Sequence, residues 1–172
     1  IATVGYTIQD ADGTTASSVL RVGVYDSSIA TTVGTAGADT LTAGAGHQVL
    51  IGGEGSDTFK WTLADNSNTS AAGDVVKDFN VGPTANGGDV LDIKDLLTGA
   101  NQALENYLDF NKTADGSGTV LSIHAVGAGG APGAVTQTIT LEGVKMTDLV
   151  GGFTTHSEAS DLAALNKLLA DH

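Results

Sequence analysis

The chain has 172 residues, with 20 Asp or Glu against 7 Lys or Arg, and its formal net charge of −13 disfavours nucleic acid and favours cations as partners. The absence of cysteine excludes disulfides and thiolate metal sites, and no run of 18 apolar residues occurs, so we expect no stable membrane insertion. The 24 glycines without a three-residue period exclude collagen and favour a β-rich fold with many turns.

Residues 1–30 are predicted to form a β-hairpin. Apolar and polar residues alternate in residues 2–9 and again in residues 18–25, and Asp-Ala-Asp-Gly lies between them as a turn. An isolated hairpin is marginal in water, so we expect it to pack against another part of a longer chain. Its acidic residues could bind a cation at a domain junction or close plain polar turns: Asp10, Asp12 and Asp26.

Residues 31–60 contain three nine-residue lines in phase: GTAGADTLT (34–42), AGAGHQVLI (43–51) and GGEGSDTFK (52–60). Glycine holds the fourth place of each line, and a large apolar residue holds the eighth. Asp39 and Asp57 hold the sixth place in the outer lines, where the middle line has Gln48. The pattern resembles the Gly-Gly-x-Gly-x-Asp-x-apolar-x nonapeptide of calcium-binding parallel β-rolls.

The physical chemistry of this spacing favours calcium. Glycines allow tight turns that direct backbone carbonyls at a cation, and each aspartate adds a carboxylate. Successive lines lie on opposite edges of a roll, so Asp39 and Asp57 share an edge and could share one ion. Gln48 keeps an oxygen but no charge, and its edge lacks a partner line. The predicted ligands of this segment are Gly34, Ala36, Gly37, Asp39, Gly52, Gly53, Gly55 and Asp57.

Residues 61–150 are predicted to form a β-sandwich with calcium-binding turns. The strand that begins at Asp57 is expected to place Phe59, Trp61 and Leu63 on one face, and two later strands cover residues 118–126 and 135–144. Short helical pieces are expected within residues 94–110. Four aspartates at strand starts and turn edges either bind calcium or cap turns: Asp74, Asp78, Asp89 and Asp92.

Residues 151–172 are predicted to form a C-terminal helix. Ser160 and Asp161 are typical of a helix N-terminus, and an apolar stripe follows, made by Leu162, Leu165, Leu168 and Leu169. The stripe fits a helix that docks onto a sheet. A second role as an export address is compatible with that packing.

The order of the segments resembles the C-terminal domain of RTX adhesins exported by the type I secretion system of Gram-negative bacteria. The resemblance covers about residues 34–172, with Ala43 and Gln48 off pattern. Besides the nonapeptides it rests on Asp-Thr-Phe-x-Trp, Gly-Asp-Val-Val-x-Asp-Phe, Asp-Val-Leu-Asp-Ile-x-Asp-Leu-Leu and Ile-Thr-Leu-Glu-Gly-Val. It implies an all-β fold in which a short calcium-binding parallel β-roll runs into a β-sandwich, with a few short helices including a C-terminal one.

The resemblance also implies a function. The implied protein is a non-catalytic, monomeric module that folds in millimolar calcium outside the cell and carries a secretion signal in residues 151–172. Its partners would be a type I secretion ABC transporter during export and upstream adhesin repeats in the same chain, on the bacterial surface. The alternative is the secretion domain of a calcium-dependent protease or lipase. Neither His-Glu-x-x-His nor Gly-x-Ser-x-Gly occurs here, so such an enzyme would lie upstream.

Overall fold

The computed structural model describes residues 2–22, 29–63, 73–101 and 103–150. Strands β1 (Ala2–Gln9) and β2 (Thr15–Val22) pair antiparallel and form a two-stranded sheet. The hairpin expected in residues 1–30 is therefore present, with its second strand beginning earlier than the alternation indicated. Asp26 lies outside the described residues.

Six short strands form a β-roll by alternating between two parallel sheets. Strands of the first sheet are β3 (Ala30–Val33), β5 (Gln48–Ile51) and β7 (Asp74–Val76). Strands of the second sheet are β4 (Thr40–Thr42), β6 (Thr58–Lys60) and β8 (Val90–Asp92). Each strand thus hydrogen bonds in parallel with the strand two places further along the chain. The roll therefore extends to Asp92, whereas the nine-residue repeats alone predict a roll only for residues 31–60.

The first sheet of the roll continues into an antiparallel layer. Strand β11 (Pro132–Leu141) pairs in parallel with β7 and antiparallel with β10 (Thr119–Val126), which pairs with β9 (Leu108–Lys112). The resulting sheet has the order β3-β5-β7-β11-β10-β9. The prediction of an all-β fold with a parallel roll is confirmed, and the roll and the later strands share one sheet.

The core of the roll comes from the eighth place of the nonapeptides. Leu41, Leu50 and Phe59 are at most 3% exposed, because one residue of each short strand points between the two sheets. Trp61 is fully buried beside them. Leu63 is 58% exposed, so the expected apolar face of residues 57–63 ends at Trp61.

The same core extends into the antiparallel layer. Leu121 and Ile139 are paired across β10 and β11, and both are almost fully buried. Ile123 and Leu141 are buried on the same face, as the alternation predicted. Together with the eighth-place residues they belong to one apolar cluster, so the roll and the antiparallel layer share a core.

Helical structure is sparse in the described part of the chain. It comprises one short α-helix, α1 (Met146–Val150), and 3₁₀ turns at Thr84–Asn86, Lys94–Leu97, Leu104–Asn106 and Ala128–Gly130. The helical pieces expected within residues 94–110 are thus 3₁₀ turns. Across the described ranges, no helix has the length and apolar character needed to span a membrane. The helix predicted in residues 151–172 lies outside these ranges.

Candidate metal centre

At one edge of the roll, the turns that precede β4, β6 and β8 stack on one another. Each ends in an aspartate directly before its strand. Asp57 Oδ1 accepts the backbone N–H of Asp39 at 2.9 Å, and Asp89 Oδ1 accepts the backbone N–H of Asp57 at 2.9 Å. We call these stacked turns, residues 34–39, 52–57 and 78–89, the aspartate edge. The three turns are linked in series, because the aspartate of the second turn and that of the third each accept a backbone N–H of the turn before.

Two glycines allow the first two turns of the aspartate edge to touch. Gly53 and Gly55 have φ of 106° and 118°, a conformation that L side chains rarely adopt. A Cβ on Gly53 would collide with the carbonyl oxygen of Thr35, and one on Gly55 would lie 2.7 Å from that of Gly37. The glycines of the pattern therefore bring backbone carbonyl oxygens into the space between stacked turns, where a cation can use them.

Asp39 and Asp57 occupy equivalent places but have different partners. Asp39 Oδ2 accepts the backbone N–H of Thr35 at 2.6 Å and its hydroxyl at 2.8 Å. The equivalent N–H in the next turn belongs to Gly53, and it donates to Asp78 Oδ2 at 3.0 Å. Asp57 Oδ2 consequently has no hydrogen-bond partner among the described residues, although Asp57 is only 1% exposed.

A buried carboxylate oxygen without a donor requires a proton or a cation. Asp57 Oδ2 lies against Gly52, where a Cβ would collide with it, and the N–H of Gly52 donates to Asp78 Oδ1 at 2.9 Å. Two carboxylates thus flank one glycine, next to carbonyl oxygens of the stacked turns. This set of hard oxygens fits calcium, which takes roughly six to eight oxygen ligands in flexible geometry.

Side chains alone do not complete such a site. In the portion of the chain that is described, no three His, Asp or Glu side chains converge at a metal-binding distance. A calcium ion at the aspartate edge would therefore be held by Asp57, with Asp78 or a neighbouring aspartate, and by backbone carbonyl oxygens. Calcium accepts this mixture of ligands readily.

Burial makes two of the edge carboxylates hard to ionise. Desolvation raises the pKa of Asp57, and the negative charges of Asp39 and Asp78 raise it further against the one N–H that Asp57 accepts. Desolvation likewise raises the pKa of Asp89, although the N–H groups of Asn80 and Asp57 oppose the shift. Without a cation, the charged form of this edge is therefore unfavourable.

We expect the calcium-free protein to gain stability as the pH falls from about 7 toward about 4, the ordinary aspartate pKa, because the raised folded-state pKa values of Asp57 and Asp89 lie above it. With raised pKa values, Asp57 and Asp89 bind more protons in the folded protein than in the unfolded chain, so acidification through the folded pKa stabilises the fold. Aspartates whose folded-state pKa is lowered, such as Asp39, make stability depend on pH only below the ordinary aspartate pKa of about 3.9. Thermal unfolding in a chelator at both pH values measures the effect.

His124 also contributes to this pH dependence, and its contribution has to be separated from that of the aspartate edge. Burial lowers its pKa, but hydrogen bonds to Asp109 and to the carbonyl of Gly133 outweigh burial and raise it, so its protonation also favours the fold at low pH. The part due to the aspartate edge is the difference between the wild type and Asp57→Asn, whose pH dependence should be weaker. A melting temperature that rises with pH in the chelated wild type would contradict the assignment.

The opposite edge of the roll differs from the sequence-based expectation. Asp74 is the first residue of β7, and its Oδ1 accepts the backbone N–H of Gln48 at 2.9 Å. The expectation that the edge of Gln48 lacks a partner line was wrong, because residues 61–73 interrupt the nine-residue period and hide Asp74 as the next sixth-place residue. Asp74 Oδ2 accepts Trp61 Nε1–H at 2.7 Å and Gln137 Nε2–H at 2.9 Å.

Asp92 lies within strand β8 and away from the turns. Its Oδ2 is 2.8 Å from Lys60 Nζ in the register-matched position of β6. The hydrogen bond to Lys60 is the main cause that lowers the pKa of Asp92. This carboxylate is paired with an ammonium group and does not contribute to the aspartate edge.

The structure brings most of the predicted ligands together. Those at the aspartate edge are Gly34, Ala36, Gly37, Asp39, Gly52, Gly53, Gly55, Asp57, Asp78 and Asp89. Asp74 and Asp92 lie elsewhere. Thr35, which holds Asp39, was not predicted. The sequence offers one signal for its role: Thr35 is at the second place of the first nine-residue line, where the third line has Gly53.

The hairpin turn has the plain polar chemistry that was one of its two interpretations. Asp10 Oδ1 accepts the backbone N–H groups of Asp12 and Thr14, at 3.2 and 2.9 Å. Asp12 Oδ1 also accepts the N–H of Thr14, at 3.0 Å. The carboxylates close the turn that contains Gly13, whose φ is 92°.

Comparison with known proteins bears on the repeats. Among solved structures, the solution structure of the AlgE6R3 subunit from the Azotobacter vinelandii mannuronan C5-epimerase is 30% identical, covers 67% of this chain and 61% of that chain, and has a TM-score of 0.48. The present chain thus spans about 61% of that structure's length. The comparison with curated proteins found no match. Residues 33–59 match the family model described as RTX calcium-binding nonapeptide repeat (4 copies), so this part of the chain consists of calcium-binding repeats of the kind typical of secreted proteins.

Proposed function

We propose that this segment is a calcium-dependent folding and export module at the end of a large RTX adhesin, with no catalytic activity of its own. The observation that carries the calcium-dependent part is Asp57 Oδ2, a buried carboxylate oxygen without a hydrogen-bond donor inside the matched repeats. Bound calcium would supply the positive charge that this edge otherwise lacks.

The residues of the aspartate edge couple the ion to folding. Asp57 and Asp89 each bind the backbone of the preceding turn, so the carboxylates and carbonyl oxygens converge only after the turns stack. An ion that binds only the folded form stabilises it by about 1.4 kcal/mol when its concentration is about ten times the dissociation constant. Extracellular calcium modules have constants of about 10⁻⁴–10⁻³ M. Such a module is marginally stable in the cytosol, where free calcium is very low, and is stabilised outside the cell.

The export and adhesin parts of the proposal rest on the sequence. The motifs after the repeats follow the order of the C-terminal domain of type I-secreted adhesins, and residues 151–172 carry a stripe of leucines. On this basis the partners are an ABC transporter during export and upstream repeats of the same chain. The module itself would be a monomer on the surface of a Gram-negative cell. The coding sequence upstream tests the adhesin part: tandem repeats of about 100 residues, the size of an ordinary domain, support it, and a zincin or hydrolase domain would overturn it.

Deletion of residues 157–172 is expected to abolish export and leave calcium binding intact. The predicted ligands lie between Gly34 and Asp92, so the deletion removes none of them. The secreted fraction in a strain with a functional type I system measures export, and calcium titration of the purified truncated protein is the control. Secretion at the level of the full-length protein would place the export signal elsewhere.

A further inference from the structure

The two edges of the roll have different chemistry. We infer that the edge formed by Gln48 and Asp74, here called the glutamine edge, takes no calcium and is held by hydrogen bonds from the protein itself. Calcium then binds at the aspartate edge alone. The inference rests on the proposed calcium function and specifies which half of the roll depends on the ion.

Both oxygens of Asp74 already have donors. Oδ1 accepts the backbone N–H of Gln48, and Oδ2 accepts the indole N–H of Trp61 and the side-chain amide N–H of Gln137. Asp74 is 1% exposed, so these donors, and not water, surround its carboxylate. Its counterpart Asp57 has one oxygen with no donor among the described residues. Within that part of the chain, the buried carboxylate oxygen that lacks a donor therefore lies at the aspartate edge.

Gln48 occupies the place where the repeat pattern has a second carboxylate. Its side chain is 7% exposed, and its Nε2 atom would lie 2.6 Å from a Cβ on Gly44, so the amide fills the space beside the preceding turn. His47 Nδ1 contacts the carbonyl oxygen of Gly73, which must accept the hydrogen bond. The carbonyl oxygen of Gly73, the residue before Asp74, thus also accepts a hydrogen bond from a side chain.

The Gln137 amide belongs to the same network. Its Nε2–H group donates to Asp74 Oδ2 at 2.9 Å and to the carbonyl oxygen of Thr138 at 3.3 Å. Its Oε1 atom is buried without a partner among the described residues, but an amide oxygen carries no net charge. The charged group at this edge is Asp74, and both of its oxygens have protein donors.

This network connects three parts of the fold. Trp61 follows β6, Asp74 begins β7, and Gln137 lies in β11, 63 residues after Asp74. The glutamine edge therefore ties the roll to the antiparallel layer without an ion. A loss of these bonds should weaken the fold equally with and without calcium.

Calorimetric calcium titration and thermal unfolding of the full chain test the inference in three variants. Asp74→Asn is expected to bind as many ions as the wild type and to lose the same number of degrees of melting temperature in chelator and in calcium. Asp57→Asn is expected to bind at least one ion fewer. Trp61→Phe removes the N–H that binds Asp74 and keeps a smaller aromatic ring in the core. The cavity it leaves costs stability equally with and without calcium, so the variant repeats the Asp74→Asn test if that variant does not fold.

The outcomes separate the two proposals. A wild type that binds no calcium would overturn the proposed function. A wild type that binds calcium, with an ion lost in Asp74→Asn or Trp61→Phe, would overturn the assignment of calcium to one edge alone. Destabilisation of these variants in calcium but not in chelator would overturn it as well. Unchanged ion numbers with equal destabilisation support it.

Discussion

Chelation is expected to lower the melting temperature of this protein by roughly 3–6 °C for each calcium ion that is bound at about ten times its dissociation constant. Such an ion contributes about 1.4 kcal/mol, and 1 kcal/mol corresponds to roughly 2–4 °C in a domain of this size. Asp57 would then face the charges of Asp39 and Asp78, and Asp89 those of Asp57 and Asp78, within a chain of net charge −13. At temperatures between the two transitions, most tertiary structure should be lost.

Trp61 provides the signal for this experiment, because it is the single tryptophan of the chain and is fully buried. Its fluorescence and the near-ultraviolet circular dichroism should change on chelation and return when calcium is restored. Magnesium is the control ion. It requires near-ideal octahedral geometry and dehydrates reluctantly, so it should not restore the fold at equal concentration. Melting curves indifferent to the chelator would contradict calcium-dependent folding.

Asp57→Asn is expected to have opposite effects in the two conditions. In saturating calcium it should lower the melting temperature, because a ligand and a charge are lost. In chelator it should raise the melting temperature, because the buried oxygen that lacks a donor is no longer a carboxylate. Asparagine keeps one side-chain oxygen that can accept the N–H of Asp39, so the link between the turns survives.

Asp92→Asn is the matched control for this variant. It also converts an aspartate of the second sheet to asparagine, but Asp92 pairs with Lys60 at a partly exposed position. Such pairs contribute about 0–1 kcal/mol, and the loss should be the same with and without calcium. If Asp57→Asn destabilised the protein equally in both conditions, Asp57 would be a structural residue and not a ligand.

The aspartate edge could be predicted because its determinants are local. The nine-residue period of residues 34–60 places the turns, the glycines and the two aspartates in phase, and the structure stacks them accordingly. Asp78 and Asp89 lack the nine-residue spacing, and only their position before or within turns indicated them. The backbone of the third turn, not a motif, brings them to Gly52 and Asp57.

The glutamine edge could not be predicted, because its contacts connect distant parts of the chain. Residues 62–73 separate Trp61 from Asp74 and break the repeat, so the period gives no sign that Asp74 succeeds Gln48. Gln137 reaches Asp74 only through the parallel pairing of β7 and β11. Asp92 was a candidate ligand because it belongs to the aspartates at strand starts and turn edges, and only the register of β6 and β8 places it beside Lys60.

Calorimetric titration of calcium into the calcium-free chain at neutral pH is the decisive test of calcium-dependent folding. We expect saturable binding of at least one ion per chain, with a dissociation constant of about 10⁻⁴–10⁻³ M, accompanied by the heat of folding of the fraction that is unfolded without calcium. The absence of saturable binding up to roughly ten times that constant, in a chain that is already folded without calcium, would contradict it.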